Sequence, residues 1–117
     1  MALGKILVVE DDALIAMELG ERLADLGHAV LGPAHTIAEA EALIARERPQ
    51  AALLDANLGG ESSVGLGVTL VGQGVPVAFC TGYDQVKGAP PELANAPVLV
   101  KPYSDAELKA ALSKLVA

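Results

Sequence analysis

The chain has no tryptophan, one phenylalanine and two tyrosines among its 117 residues. Its core must therefore be aliphatic, and Phe79, Tyr83 and Tyr103 each stand out as special contacts. A single cysteine, Cys80, excludes an internal disulfide and fits a reducing compartment. Cations are scarce: eight Lys and Arg face fifteen Asp and Glu, for a formal net charge of −7. With no basic cluster either, direct binding to a phosphate backbone is not expected. No apolar run approaches the ~20 residues of a membrane span. Met1-Ala2-Leu3-Gly4-Lys5 leads straight into a strand pattern, so neither a signal peptide nor membrane insertion is expected. Repeats, linkers and low-complexity tails are also missing. The expectation is one cytoplasmic domain over residues 1–117, large enough for its own core.

What the chain does have is apolar residues, 52% of the total, arranged in two alternating patterns. Short, continuous aliphatic runs at 5–9, 28–31, 51–54, 76–80 and 98–100 predict strands buried on both faces. Between them lie helical periodicities. Asp12 is the expected cap of a helix with apolar residues at Ile15, Leu19, Leu23 and Leu26, ended at Gly27. Thr36 opens a second, with Glu39 as capping-box partner, and Pro49 stops it. Val64, Val68 and Val71 mark a third, weakened by Gly65 and Gly67. Ser104 and Glu107 open the last, with Leu108, Ala111, Leu112 and Leu115 inward. The second strand is expected to end at Gly32-Pro33, and 57–63 to be a loop in which Gly59 and Gly60 serve the turn. Residues 82–97 carry two glycines and three prolines, so a loop with at most one helical turn, at 91–94, is expected there. Strands alternating with helices predict an α/β fold with a parallel sheet and right-handed crossovers.

Four of the apolar runs stop at a polar residue suited to phosphoryl chemistry. Ile6-Leu7-Val8-Val9 stops at Glu10-Asp11-Asp12, Ala51-Ala52-Leu53-Leu54 at Asp55, Val77-Ala78-Phe79-Cys80 at Thr81, and Val98-Leu99-Val100 at Lys101. Parallel strands would bring these ends to one sheet edge, where open α/β sheets hold their sites. Asp55 is the candidate nucleophilic carboxylate, forming an aspartyl-phosphate. Glu10 and Asp11 supply hard oxygen ligands suited to Mg²⁺. Thr81 can hydrogen-bond a phosphoryl oxygen, and Lys101 can offset its charge.

An acidic pair, then Asp, Thr and Lys-Pro, each closing a strand, resembles the receiver domain of two-component response regulators. The resemblance implies a doubly wound five-stranded sheet of order 2-1-3-4-5 and Mg²⁺-dependent phosphorylation of Asp55 by a histidine kinase or histidine phosphotransfer protein. It implies that Asp11 binds the metal directly, Glu10 through water, and Asn57 through its backbone carbonyl, with Asp12 left as the helix cap. It also implies a cis Lys101-Pro102 bond. Pro76-Val77-Ala78-Phe79-Cys80-Thr81-Gly82-Tyr83 resembles the Phe-Ala-Thr-Gly-aromatic group of single-domain receivers, with Cys80 in place of Ala. Members of that group are often served by kinases of the HWE or HisKA2 type. Such a protein is a phosphoacceptor rather than an enzyme: it catalyses only its own phosphorylation and dephosphorylation, and passes the signal to a further protein.

Two departures mark the output side. The family's switch aromatic stands three residues before the lysine, where this chain has Val98, and Gly82 replaces a common alanine. Tyr83, or ordering of the 82–97 loop on phosphorylation, is the expected substitute. Cys80 reads as a core residue, and His28 and His35 as surface or helix-entry residues away from the acidic cluster. Tyr103 reads equally as a partner contact or as packing beside the last helix. Alternatives are a phosphoester hydrolase, disfavoured by the lack of a D-x-D nucleophile and of room for a cap domain, a non-phosphorylated pseudo-receiver, and a receiver cut from a larger regulator or hybrid kinase.

Overall fold

The computed structural model describes residues 4–82, 86 and 88–116. Its elements are β1 (Lys5–Val9), α1 (Ala13–Asp25), β2 (Ala29–Ala34), α2 (Ile37–Arg46), β3 (Ala51–Asp55), β4 (Asn57–Leu58), β5 (Glu61–Ser62), α3 (Val64–Gly72), β6 (Val77–Thr81), a 3-10 turn (Pro91–Leu93), β7 (Val98–Val100) and α4 (Asp105–Leu115). The main sheet is parallel, in the order β2-β1-β3-β6-β7. Counted without the small β4–β5 hairpin, this is the order 2-1-3-4-5 that the resemblance implies.

The aliphatic runs are continuous because the sheet is covered on both faces. Alternate residues point opposite ways. Ile6, Val8, Leu53, Ala78, Cys80 and Leu99 pack with Leu19 and Leu23 of α1 and Leu108 and Leu112 of α4. Leu7, Val9, Leu54 and Phe79 pack with Ala40 of α2, Leu66 and Leu70 of α3, and Leu93 of the 3-10 turn. The helix starts follow their caps. The Asp12 carboxylate accepts the N–H groups of Leu14 and Ile15 at 2.9 and 3.1 Å, and Ser104 and Glu107 complete a reciprocal capping box.

Three local expectations are corrected. β2 does not end at Gly32-Pro33 but runs through it to Ala34. Leu7 pairs with Leu31 and Val9 with Ala34, so Val8 faces two residues in a bulge. β2 is an edge strand, where a proline costs no sheet hydrogen bond. Gly32 sits at φ 99°, and a Cβ there would lie 2.8 Å from the Ala34 nitrogen, so the bulge requires glycine. Residues 57–63 are not wholly loop: Asn57–Leu58 and Glu61–Ser62 pair as an antiparallel hairpin turning at Gly59-Gly60. Thr36 caps α2, but the Glu39 carboxylate accepts the N–H of His35 at 3.1 Å, one residue outside the expected box.

The segment at 82–97 contains only the 3-10 turn Pro91–Leu93 among its described residues. Tyr83 lies outside the described residues. Leu93, 4% exposed, anchors the turn against α3. Gly67 makes room for it: a Cβ on Gly67 would stand 2.8 Å from Phe79 Cζ and 3.4 Å from Leu93 Cδ1. Gly67→Ala is therefore expected to destabilise the fold by about 1–3 kcal/mol through overpacking, less a helix-propensity gain of about 1 kcal/mol. Gly20→Ala, on α1 with nothing within 4 Å of the added carbon, is expected to stabilise it. Urea midpoints check both, and a stabilising Gly67→Ala would contradict the packing described.

Candidate functional site

Strand alternation decides which ends meet. Glu10, Asp55 and Lys101 continue the parity of Val8, Leu53 and Leu99, all on the face covered by α1 and α4. Thr81 continues the parity of Phe79, on the other face. β1, β3 and β6 are neighbours, and β7 lies beside β6, so the four ends border one crevice at the C-terminal edge of the sheet.

The Lys101 ammonium sits between two carboxylates. Its Nζ donates to Glu10 Oε1 at 3.0 Å and to Asp55 Oδ2 at 3.2 Å. Both acceptors are largely buried, with side-chain exposures of 5% and 11%. Burial first, and the facing Asp55 carboxylate next, push the Glu10 carboxyl up from 4.5 to about 7. Burial works against charge on Lys101 too, but its bonds to Glu10 and Asp55 outweigh that and raise its pKa. The backbone holds this lysine in register, its N–H donating to the Thr81 carbonyl at 2.7 Å. Thr81 itself is buried, 7% exposed.

Carboxylate oxygens of Glu10, Asp11 and Asp55 lie within 4.8 Å of one another. Three hard oxygen donors opposed by one ammonium leave an excess of negative charge in a partly dry crevice, and this arrangement can hold a metal ion. The β4–β5 turn closes over it: a Cβ on Gly59 would be 3.7 Å from Asp11 Oδ2. The Asn57 N–H donates to Asp55 Oδ1 at 3.2 Å, while its side-chain oxygen accepts the Gly60 N–H at 2.6 Å. Asn57 thus ties the hairpin to Asp55. Lys101-Pro102 is cis.

Two neighbours were not legible as site residues. His35 was expected away from the acidic cluster, yet its Nδ1 lies 3.0 Å from the Glu10 carbonyl oxygen. A carbonyl only accepts, so Nδ1 carries the proton. His35 directly follows β2, which runs on through its bulge to Ala34. The second is Arg22 of α1, which donates to the Tyr103 carbonyl at 3.0 Å and to Asp105 at 2.7 Å, with its guanidinium 4.7 Å from the Tyr103 ring centroid. The Tyr103 hydroxyl lies 3.9 Å from Cys80 Sγ. Burial raises both these groups, Cys80 to about 11, so thiol and phenol stay protonated at neutral pH. Cys80 is a core residue, as expected, and Tyr103 packs beside α4.

Comparison with known proteins matches residues 6–113 to the response regulator receiver domain. The phyllosphere-induced regulator PhyR of Methylorubrum extorquens is 37% identical over 94% of this chain, which spans only 42% of that protein's length. The solution structure of SdrG from Sphingomonas melonis Fr1 is 34% identical, covered over 100% of both chains, with a TM-score of 0.82. The receiver domain of Erythrobacter litoralis PhyR is 28% identical over 99% of this chain and 92% of its own, with a TM-score of 0.81.

The Glu10 shift has a consequence for stability. Between pH 4.5 and about 7 the folded chain holds a proton that the unfolded chain has released, so stability in chelator falls as pH rises through that window. Glu10→Gln removes this titration. Urea unfolding of both proteins is expected to show their difference shifting toward the variant as pH rises, and a pH-independent difference would refute it.

Proposed function

The chain belongs to the response regulator receiver domain family, and we propose that it is a signalling module phosphorylated on Asp55. The observation that carries this reading is the Lys101 ammonium held at 3.0 and 3.2 Å from Glu10 and Asp55 beside a three-carboxylate cluster. In the proposed step an Asp55 oxygen attacks phosphorus. The bond from phosphorus to the donor's histidine nitrogen breaks, and its electron pair leaves with the nitrogen. Lys101 offsets the charge on the phosphoryl oxygens, and Thr81 hydrogen-bonds one of them. Later attack by water on phosphorus regenerates the carboxylate. The module catalyses these two steps on itself and acts on no other substrate.

Glu10, Asp11 and Asp55, with the Asn57 carbonyl, are the residues that would hold Mg²⁺. The donor set fits: oxygen ligands only, three carboxylates opposed by one ammonium. Bound there, Mg²⁺ would neutralise charge shared by the carboxylates and the phosphoryl group.

The proposed donor is a sensor histidine kinase, of HWE or HisKA2 type, or a histidine phosphotransfer protein. Leu14, Ile15 and Met17 at the start of α1 are 59%, 39% and 54% exposed, immediately beyond the acidic loop. They give a protein donor an apolar rim to rest on. A cytoplasmic location goes with this reading, and the net charge of −7 supports a protein target rather than nucleic acid. No helix among the described residues is long and apolar enough to cross a membrane. Likeness to SdrG along its whole length supports a module acting by itself, and the longer M. extorquens PhyR supports a receiver acting within a larger regulator.

Incubation with acetyl phosphate and Mg²⁺ is expected to label the chain once, with no label on Asp55→Ala or in excess chelator. Lys101→Ala is expected to slow labelling by about 10²-fold. Undiminished labelling of Asp55→Ala would overturn the assignment, and failure to bind Mg²⁺ or beryllofluoride would favour a pseudo-receiver.

A further inference from the structure

Lys101 is the first residue after β7, and the chain from Lys101 to Ser104 belongs to no helix or strand. A long, flexible side chain rooted there must still place its ammonium between two carboxylates. One backbone bond, to the Thr81 carbonyl, fixes the start of the segment, and the α4 cap at Ser104 fixes its end. Between them the side chain of Arg22 holds the segment from outside. Arg22 is the basic residue in the last turn of α1. It donates through one terminal nitrogen to the Tyr103 carbonyl at 3.0 Å, through Nε to Asp105 at 2.7 Å, and lies over the Tyr103 ring. The ring reaches inward from there, so that its hydroxyl meets Cys80. Cys80 is paired in register with Asp55 and precedes Thr81.

We infer that Arg22 is a positioning residue for the phosphoryl-binding lysine, acting through the carbonyl and ring of Tyr103. The inference rests on the phosphoacceptor reading of Asp55 given above. The three contacts are unequal. Asp105 is 74% exposed, and an ion pair so open to water contributes little. The carbonyl bond and the stack over the ring use the planar fork of a guanidinium, which a lysine cannot reproduce. Arg22 touches none of Glu10, Asp11 or Asp55 in the described contacts, so its loss should disturb the phosphoryl end of the crevice and spare the metal end.

The test compares Arg22→Ala, Arg22→Lys and Asp105→Asn with the unaltered protein. Three quantities are measured on each: affinity for Mg²⁺ alone, the rate of labelling by acetyl phosphate, and affinity for beryllofluoride in saturating Mg²⁺. Both Arg22 variants are expected to keep Mg²⁺ affinity within about twofold while labelling and beryllofluoride affinity fall about tenfold or more, because small misplacements of a reacting group are costly. Asp105→Asn is expected to change little. Unchanged labelling in Arg22→Ala would overturn the inference. So would a parallel loss of Mg²⁺ affinity, which marks general loosening, or full activity in Arg22→Lys. Arg22→Lys retains the charge and serves where Arg22→Ala does not fold. If the unaltered protein takes no label on Asp55, the phosphoacceptor reading is what fails. Positioning is then read from hydrogen exchange at the Lys101 amide, where faster exchange in the Arg22 variants upholds it and equal exchange overturns it.

Discussion

The structure turns on one ammonium between two buried carboxylates. Glu10 and Asp55 end adjacent strands on the same side of the sheet, and Asp11 follows directly. Left to themselves these groups would repel one another in surroundings that solvate them poorly. Lys101 makes the arrangement tolerable without neutralising it. The charge that remains is a standing attraction for a cation, and the ammonium itself stands where a phosphoryl group on Asp55 would need a counter-charge. Stability and chemistry are therefore in tension at the same atoms: burying a further carboxylate costs the fold, and a cation held there would relieve that cost.

Much of this was legible because it depends on pattern alone. Unbroken aliphatic runs of about five residues imply strands covered on both faces, and four of them ended in Glu-Asp, Asp, Thr and Lys. Adjacency of β1, β3 and β6, with β7 outermost, then follows from the receiver resemblance. Side-chain parity does the rest, bringing Glu10, Asp55 and Lys101 to one face. Caps were equally readable where they are local, as at Asp12 and Ser104.

What could not be read depends on irregular backbone or on distance along the chain. Gly32-Pro33 looks like punctuation, and only the edge position of β2 lets it be a bulge instead. His35 follows this strand directly, and its contact with the Glu10 carbonyl has no local signal in the sequence. The Arg22 contacts join residues more than eighty positions apart, and an arginine in the last turn of a helix has an ordinary local explanation in the helix dipole. The paired turn at 57–62 escaped because two-residue strands carry no periodicity.

The same geometry narrows where a change at Thr81 can be felt. Val98 denies the chain the aromatic that other receivers carry on that strand, but β6 offers two neighbours. Phe79 and Leu93 both border the space that the missing Cβ of Gly67 leaves, so strand and 3-10 turn share one part of the core. Cys80 meets the Tyr103 hydroxyl on the opposite face, and Tyr103 is held to α1 by Arg22. Protein interiors are close-packed and do not absorb displacements in empty space. A shift at the end of β6 must therefore be accommodated at Leu93 on one face, at Tyr103 on the other, or at both. The first route moves an anchor of the 82–97 segment. The second moves the residue two places beyond Lys101, so the group that would meet a phosphoryl charge and the group that follows strand position belong to one short segment of backbone.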